Sequence, residues 1–91
     1  MNKSVSLKIK GKVQGVNFRF STKAKADEFG IKGRVKNMDD GTVYVEATGD
    51  EAAVNKLIEW CQHGSSWAKV DEVKVEELEN PKDLQEFIIE Y

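Results

Sequence analysis

Residues 11–19, GKVQGVNFR, combine two glycines and one arginine in a segment suited to hold an anion. A loop that leaves a strand and enters a helix points several backbone N–H groups one way, and the helix start adds partial positive charge. Gly11 and Gly15 allow tight turns or close approach to a ligand. Arg19 falls in the first helical turn, where its guanidinium could bind phosphate bidentately. The spacing alone leaves an anion cradle and an ordinary strand-to-helix connection equally open, since the segment matches neither the Walker A nor the GxGxxG pattern.

Other reactive residue types are scarce in the sequence. Cys61 is the single cysteine and His63 the single histidine, which excludes an internal disulfide and disfavours a histidine-based zinc site. We expect Cys61 to be a small core residue rather than a nucleophile, and His63 to lie on the surface. Asp39 and Asp40 precede Gly41, which fits a hairpin turn better than a metal site. We therefore expect no metal and no cofactor.

Length and charge limit the kind of protein. Ninety-one residues support one domain over residues 1–91, with a single core. The net charge of −2 divides into +8 over residues 1–36 and −10 over residues 37–91, and the positive part can attract phosphate-bearing ligands. The first residues are too polar for a secretory signal, and no apolar run approaches the roughly 18 residues of a membrane span. We expect a soluble, cytoplasmic protein without a membrane partner.

The first half of the chain predicts a strand, a helix and a hairpin. Apolar residues alternate with serines and lysines over residues 4–13, which is typical of a half-buried strand. Residues 18–29 place apolar or small residues at helical spacing and end before Gly30. The segments around residues 33–35 and 43–47 read as two strands joined by a turn at Asp39, Asp40 and Gly41.

The second half predicts a helix and two more strands. Thr48 and Glu51 have the spacing of a capping box, and Gly64 follows the helix as its stop. We expect Trp60 and Trp67, on either side of the loop after this helix, to be packing residues. A fourth strand covers residues 70–78, and residues 87–91 form a short terminal strand. This order predicts an α+β fold, the ferredoxin-like βαββαβ sandwich, with an antiparallel sheet and both helices on one face.

Two separate segments resemble the two signatures of the acylphosphatase family. The first is residues 11–19, which match the pattern G-x-V-Q-G-V-x-[FY]-R. The second runs from Gly33 to Gly49 and resembles G-aromatic-V-x-N-x-x-x-G-x-V with a glycine six residues further on; the matching residues are Gly33, Val35, Asn37, Gly41, Val43 and Gly49. Arg34 stands where the family usually has an aromatic residue, which we expect to alter packing or substrate preference.

The resemblance implies an enzyme that hydrolyses small acyl phosphates to carboxylate and inorganic phosphate. Arg19 and the backbone amides of residues 14–19 would bind the phosphoryl group, and the Asn37 side chain would orient the attacking water. The residues that carry these amides are Gln14, Gly15, Val16, Asn17, Phe18 and Arg19. A carboxylate leaving group, with a parent acid pKa of about 4, needs no general acid. Judged by residue type alone, Asn37 would instead be a turn residue ahead of Asp39.

Two other function classes fit parts of the sequence. An RNA-binding module shares the element order, and a basic sheet face is predicted at Lys8, Lys10, Lys12, Lys32, Arg34 and Lys36. The aromatic residues that stack bases in such modules are missing from this face, apart from Tyr44, so we expect no nucleic-acid partner. A catalytically silent anion-binding or regulatory domain remains open. Charged edge strands favour a monomer, and nothing in residues 50–91 predicts a dedicated pocket for a large acyl group.

Overall fold

Seven regular elements make up the fold. The computed structural model describes residues 1–81 and 83–91. In chain order the elements are β1 (Asn2–Lys12), α1 (Phe18–Phe29), β2 (Lys32–Asn37), β3 (Val43–Asp50), α2 (Glu51–Cys61), β4 (Lys69–Glu77) and β5 (Phe87–Glu90).

The five strands form one sheet in the order β4-β1-β3-β2-β5. β1 pairs antiparallel with β3 and β4, and β2 pairs antiparallel with β3. The short terminal strand β5 joins the sheet parallel to β2. The predicted ferredoxin-like α+β fold is confirmed, and it places the end of β1, the start of α1 and the end of β2 beside one another.

The core lies between the sheet and the two helices. Alternating β1 residues Val5, Leu7 and Ile9 are buried, as the period of two predicted. The helices bury one stripe each, consisting of Phe18, Thr22 and Ala26 in α1 and Val54, Leu57 and Cys61 in α2. Each fully buried Val, Leu, Ile or Phe side chain stabilises the fold by about 1.5–3 kcal/mol relative to exposure. The core therefore stabilises β1 and α1, the two elements that the β1-to-α1 loop connects.

Gly11 serves strand packing rather than a ligand. Its φ is 133°, and a Cβ at this position would overlap the carbonyl oxygen of Lys69 in β4. The pairing of β1 with β4 also shifts register between Lys10 and Gly11. Only glycine allows so close an approach of two backbones, so this residue of the first signature fixes the exit of β1 toward the loop.

The predicted capping box at Thr48 and Glu51 is wrong. The pairing of β3 with β1 continues to Asp50, so Thr48 is still a strand residue, and its Oγ1 lies 2.9 Å from the Oγ of Ser4. The cap of α2 is Asp50, whose Oδ2 accepts a hydrogen bond of 3.2 Å from the backbone N–H of Ala52. Strand pairing overrides the local capping signal, because the pairing of Thr48 with Ser4 keeps this residue in β3.

The packing prediction holds for one tryptophan and is wrong for the other. The ring of Trp60 packs on Phe18, with centroids 5.5 Å apart and planes at 55°. Trp67 is 80% exposed. The turn that carries it is closed by the bond from Ala68 N to Ser65 O, 3.0 Å long, and points its indole away from the core.

The outer sheet face carries ion pairs rather than a purely basic surface. Lys8 pairs with Asp40 at 3.2 Å, and Lys10 with Glu72 at 3.9 Å. Arg34 contacts Glu46 at 2.8 Å and Glu90 at 2.7 Å. Lys8, Lys10 and Arg34, all within residues 1–36, thus pair with acids from residues 37–91. Among the described residues, no helix is long and apolar enough to cross a membrane.

Candidate active site

The loop between β1 and α1 adopts alternating backbone handedness. Gly15 has a φ of 75°, and Asn17 has φ 65° and ψ 23°, with Val16 between them outside the positive-φ region. Alternation of this kind turns successive N–H groups toward a common concave side, the geometry called a nest. A nest can receive an anion, which is one of the two alternatives that the spacing of the residues left open.

The start of α1 lacks the groups that usually cap a helix. Asn17 makes no side-chain capping bond, and no acidic residue lies in the first turn. The bond from Ser21 N to Asn17 O, 3.1 Å long, closes that turn, so the N–H groups of residues 18–20 have no acceptor in the helix ladder. Helix α2 differs, because Asp50 caps it and Glu51 occupies its first turn. An anion bound at α1 would satisfy what Asp50 satisfies at α2.

A cavity of about 160 Å³ opens at this uncapped end. It brings Arg19 and Asn37, which the sequence placed on different elements, to one site. Its lining is Val13, Gly15, Asn17, Phe18, Arg19, Phe20 and Asn37. Of the six residues expected to carry phosphate-binding amides, Gly15, Asn17, Phe18 and Arg19 line it directly, whereas Gln14 and Val16 are absent from its lining.

Arg19 is held by the end of the chain. Its Nη1 donates a hydrogen bond of 3.2 Å to the carbonyl oxygen of Glu90, and its guanidinium carbon lies 4.9 Å from the centre of the Tyr91 ring. The bond uses one of the five N–H donors of a guanidinium, which stays beside the cavity. The positions of Glu90 and Tyr91, some 70 residues away, gave no sequence signal for this contact.

Asn37 presents an oxygen that lacks a donor. It is the last residue of β2, where it pairs with Val43, and it is not part of the turn itself. Its Oδ1 is buried and has no hydrogen-bond partner among the described residues. Leaving such an oxygen unpaired costs about 1–3 kcal/mol, and a rotation of the amide would bring it to a donor in the cavity.

Gln14 and Ser65 hold the loop in place through side chains. Gln14 Nε2 donates to the carbonyl oxygens of Met38, at 2.8 Å, and Thr42, at 2.9 Å. These bonds tie the first signature to the β2–β3 hairpin that follows Asn37. Ser65 Oγ donates to the carbonyl oxygen of Val16 at 2.9 Å from the far side of the loop. Neither role was predicted from the sequence.

The remaining reactive residues lie away from the cavity. Cys61 is buried in the core, and burial raises the pKa of its thiol to about 12, which keeps it protonated and inert. His63 is exposed at the end of α2, as expected. The described residues contain no group of three or more His, Cys, Asp or Glu placed to hold a metal ion.

Asp40 belongs to the hairpin turn, as predicted. Its Oδ1 accepts hydrogen bonds from the backbone N and the Oγ1 of Thr42, at 3.1 and 2.6 Å. These bonds, together with Lys8, lower the pKa of the carboxyl group to about 2. Asp40 therefore shapes the turn that receives Gln14 and is not a catalytic carboxylate.

Comparisons with known proteins agree with this geometry. The family model described as Acylphosphatase matches residues 5–89. An acylphosphatase of Thermotoga petrophila is 40% identical over 89 residues, 98% of each chain, and one of Shewanella amazonensis is 46% identical over 85 residues, 93% of each chain. The crystal structure of acylphosphatase from Bacillus subtilis superposes with a TM-score of 0.93 at 35% identity, with each chain fully covered.

The fold and the cavity define an α+β protein whose strand-to-helix loop is shaped for an anion. Together with these matches, they show that the chain belongs to the acylphosphatase family, and the predicted family and enzyme class are confirmed. The protein is an acylphosphatase-type hydrolase.

Proposed function

We propose that residues 1–91 act as one domain that hydrolyses small acyl phosphates by direct attack of water on phosphorus. The observation that carries this proposal is the convergence of Arg19, Asn37 and the nest-shaped loop on a single cavity. The two signatures lie on separate elements. If the β1-to-α1 loop were an ordinary strand-to-helix connection, there would be no reason for Arg19 and Asn37 to line the same cavity.

In the proposed mechanism the phosphoryl group sits at the start of α1. The backbone amides of residues 14–19 and the Arg19 guanidinium donate to its equatorial oxygens. Phosphoryl transfer has a loose transition state with negative charge on those oxygens, so fixed donors supply most of the catalysis. The absence of a cap and of acids in the first turn keeps this end of α1 positive.

Asn37 would hold the attacking water. The terminal side-chain torsion of asparagine is broad, so its amide can turn toward the cavity at low cost. Its unpaired oxygen then accepts a hydrogen bond from a water, whose lone pair faces phosphorus. Positioning of this kind replaces a general base, because the water is held in line while charge develops.

The leaving group needs no protonation. A carboxylate departs from an acyl phosphate with a parent acid pKa of about 4, close to that of a side-chain carboxyl. The chain therefore needs neither a general acid nor a metal for this step. An alkyl phosphate would release an alkoxide, so we expect it to be a poor substrate.

Hydrolysis of benzoyl phosphate with a chelator present tests the proposal. We expect turnover by the native chain and a loss of about 10²-fold or more in kcat/KM for both Arg19→Ala and Asn37→Ala. Lys25→Ala is the matched control, since it removes one positive charge from the same helix, and the Lys25 side chain pairs with Glu28 and the Phe29 ring among the described residues. Phosphate binding without turnover by the folded native chain would overturn the proposal in favour of a silent anion-binding domain.

A further inference from the structure

A second cavity adjoins the first at Asn17, in the loop between β1 and α1. Its volume is about 410 Å³, within the range of small-molecule sites. Its lining is Val16, Asn17, Ser21, Ser65, Ser66 and Trp67. Asn17 lines both cavities, so a molecule anchored at the loop could extend from one into the other.

The lining suits an uncharged organic group. None of the six residues carries a charge, and Trp67 contributes an indole that is 80% exposed. An aromatic surface left in water beside a cavity gains contact area when a ligand covers it. The three serines supply hydroxyl groups, of which Ser65 Oγ already fixes the loop by bonding to Val16 O.

The second cavity is separate from the residue proposed to hold the attacking water. In-line displacement puts the attacking water and the leaving oxygen on opposite sides of phosphorus. Asn37, the proposed water ligand, lines the first cavity and is absent from the lining of the second. An acyl group placed in the second cavity would therefore leave the Asn37 side of the phosphoryl group open to water.

We propose that this second cavity binds the acyl group of the substrate and favours aromatic acyl groups through Trp67. This inference rests on the proposed function and extends it to substrate preference. Nothing in residues 50–91 predicted a dedicated pocket for a large acyl group, and Trp67 was expected to be a packing residue. Its exposure is the observation that changes that prediction.

A kinetic experiment compares benzoyl phosphate with acetyl phosphate for the native chain, Trp67→Ala and Trp67→Phe. Contact between two aromatic rings strengthens binding by roughly a factor of 3 to 10. We therefore expect Trp67→Ala to raise KM for benzoyl phosphate, relative to KM for acetyl phosphate, by about that factor. Trp67→Phe should retain most of the preference, because it keeps a ring. An unchanged preference in Trp67→Ala, or an equal loss in both variants, would overturn the inference.

A binding experiment separates this inference from the proposed function. Phenacylphosphonate and acetonylphosphonate carry a methylene in place of the bridging oxygen and cannot be hydrolysed. Calorimetry should show tighter binding of phenacylphosphonate to the native chain, with the advantage lost in Trp67→Ala. If the native chain hydrolyses neither acyl phosphate, the proposed function fails while this binding ratio still decides on the cavity. Equal weakening of both phosphonates and of inorganic phosphate would show that Trp67 only supports the loop, and the inference would fail.

Discussion

Arg19 and Asn37 meet in one cavity, and the proposed mechanism gives them different steps. Arg19 carries charge and lines the cavity from the first turn of α1, where it donates to the carbonyl of Glu90. Asn37 is neutral and offers one unpaired oxygen from the end of β2. Charge on the ligand is present both before and during the reaction, whereas the water matters only to the chemical step. The two residues should therefore affect different kinetic constants.

Asn37→Ala is expected to lower kcat by about 10²-fold while changing KM little, because only positioning of the water is lost. The inhibition constant of inorganic phosphate should stay within about two-fold of native, since phosphate binding uses Arg19 and the loop amides. Steady-state kinetics with phosphate as a competitive inhibitor measure both. A phosphate constant that worsens in step with kcat would place Asn37 in the anion site instead.

At the scale of elements, the loop between β1 and α1 is hydrogen-bonded to the β2–β3 hairpin. Gln14 donates to two hairpin carbonyls, and the Met38 N–H bonds to Thr42 O at 2.8 Å across the base of the turn. The loop and the turn are thus built as one unit, although the two segments are more than 20 residues apart.

Gln14→Leu removes both donors while keeping a side chain of similar size. We expect the free energy of unfolding to fall by about 1–3 kcal/mol, because two hairpin carbonyls each lose one of their two hydrogen bonds. KM should rise as the loop loosens, with a smaller effect on kcat. Urea denaturation and kinetics measure the two effects. A native-like KM in a clearly destabilised variant would show that the hairpin does not hold the loop in its binding shape.

The turn itself should show a pH dependence that Asp40 controls. Its folded pKa of about 2 lies below the ordinary value of 3.8, so the ionised form stabilises the fold. That contribution is complete above the unfolded pKa and disappears as pH falls toward 2. The Tm difference between the native chain and Asp40→Asn should therefore be constant above about pH 5 and shrink between pH 4 and 2. A difference that stays constant down to pH 2 would contradict this assignment.

The elements were largely predictable from the sequence, and the contacts between them were not. The alternation in β1 and the stripe of α1 predicted their buried faces because each pattern is set by local geometry. The failed capping box at Thr48 shows where local signals stop, since the pairing of β3 with β1 decides the helix start. The motifs identified Arg19 and Asn37, but the Glu90 carbonyl that holds Arg19 is 71 positions away and left no pattern.

Across the whole molecule, an ion-pair cluster connects the outer sheet face to the site. Arg34 in β2 contacts Glu46 in β3 and Glu90 in β5, and all three side chains are less than one-third exposed. These contacts raise the pKa of Arg34. The carbonyl of the same Glu90 accepts a hydrogen bond from Arg19. The arginine at a position usually aromatic in the family thus anchors β5 beside the site.

Arg34→Met is expected to lower the free energy of unfolding by about 1–3 kcal/mol, because it leaves two partly buried carboxylates without their main cation. The double variant Arg34→Met with Glu46→Gln should recover part of this loss. Lys10→Met is the matched control: its pair with Glu72 is more than half exposed, so the loss should stay below about 0.5 kcal/mol. Chemical denaturation gives all three values, and equal losses for Arg34→Met and Lys10→Met would refute the anchoring role.

The measurement that tests the central claim most directly is the fate of solvent oxygen. Benzoyl phosphate is hydrolysed in ¹⁸O-labelled water by an excess of the native chain, and both products are analysed by mass spectrometry. Attack of water on phosphorus predicts one labelled oxygen in inorganic phosphate and none in benzoate. Label in benzoate would mean attack at the carbonyl carbon, and the account of Arg19, Asn37 and the loop as a phosphoryl-transfer site would be contradicted.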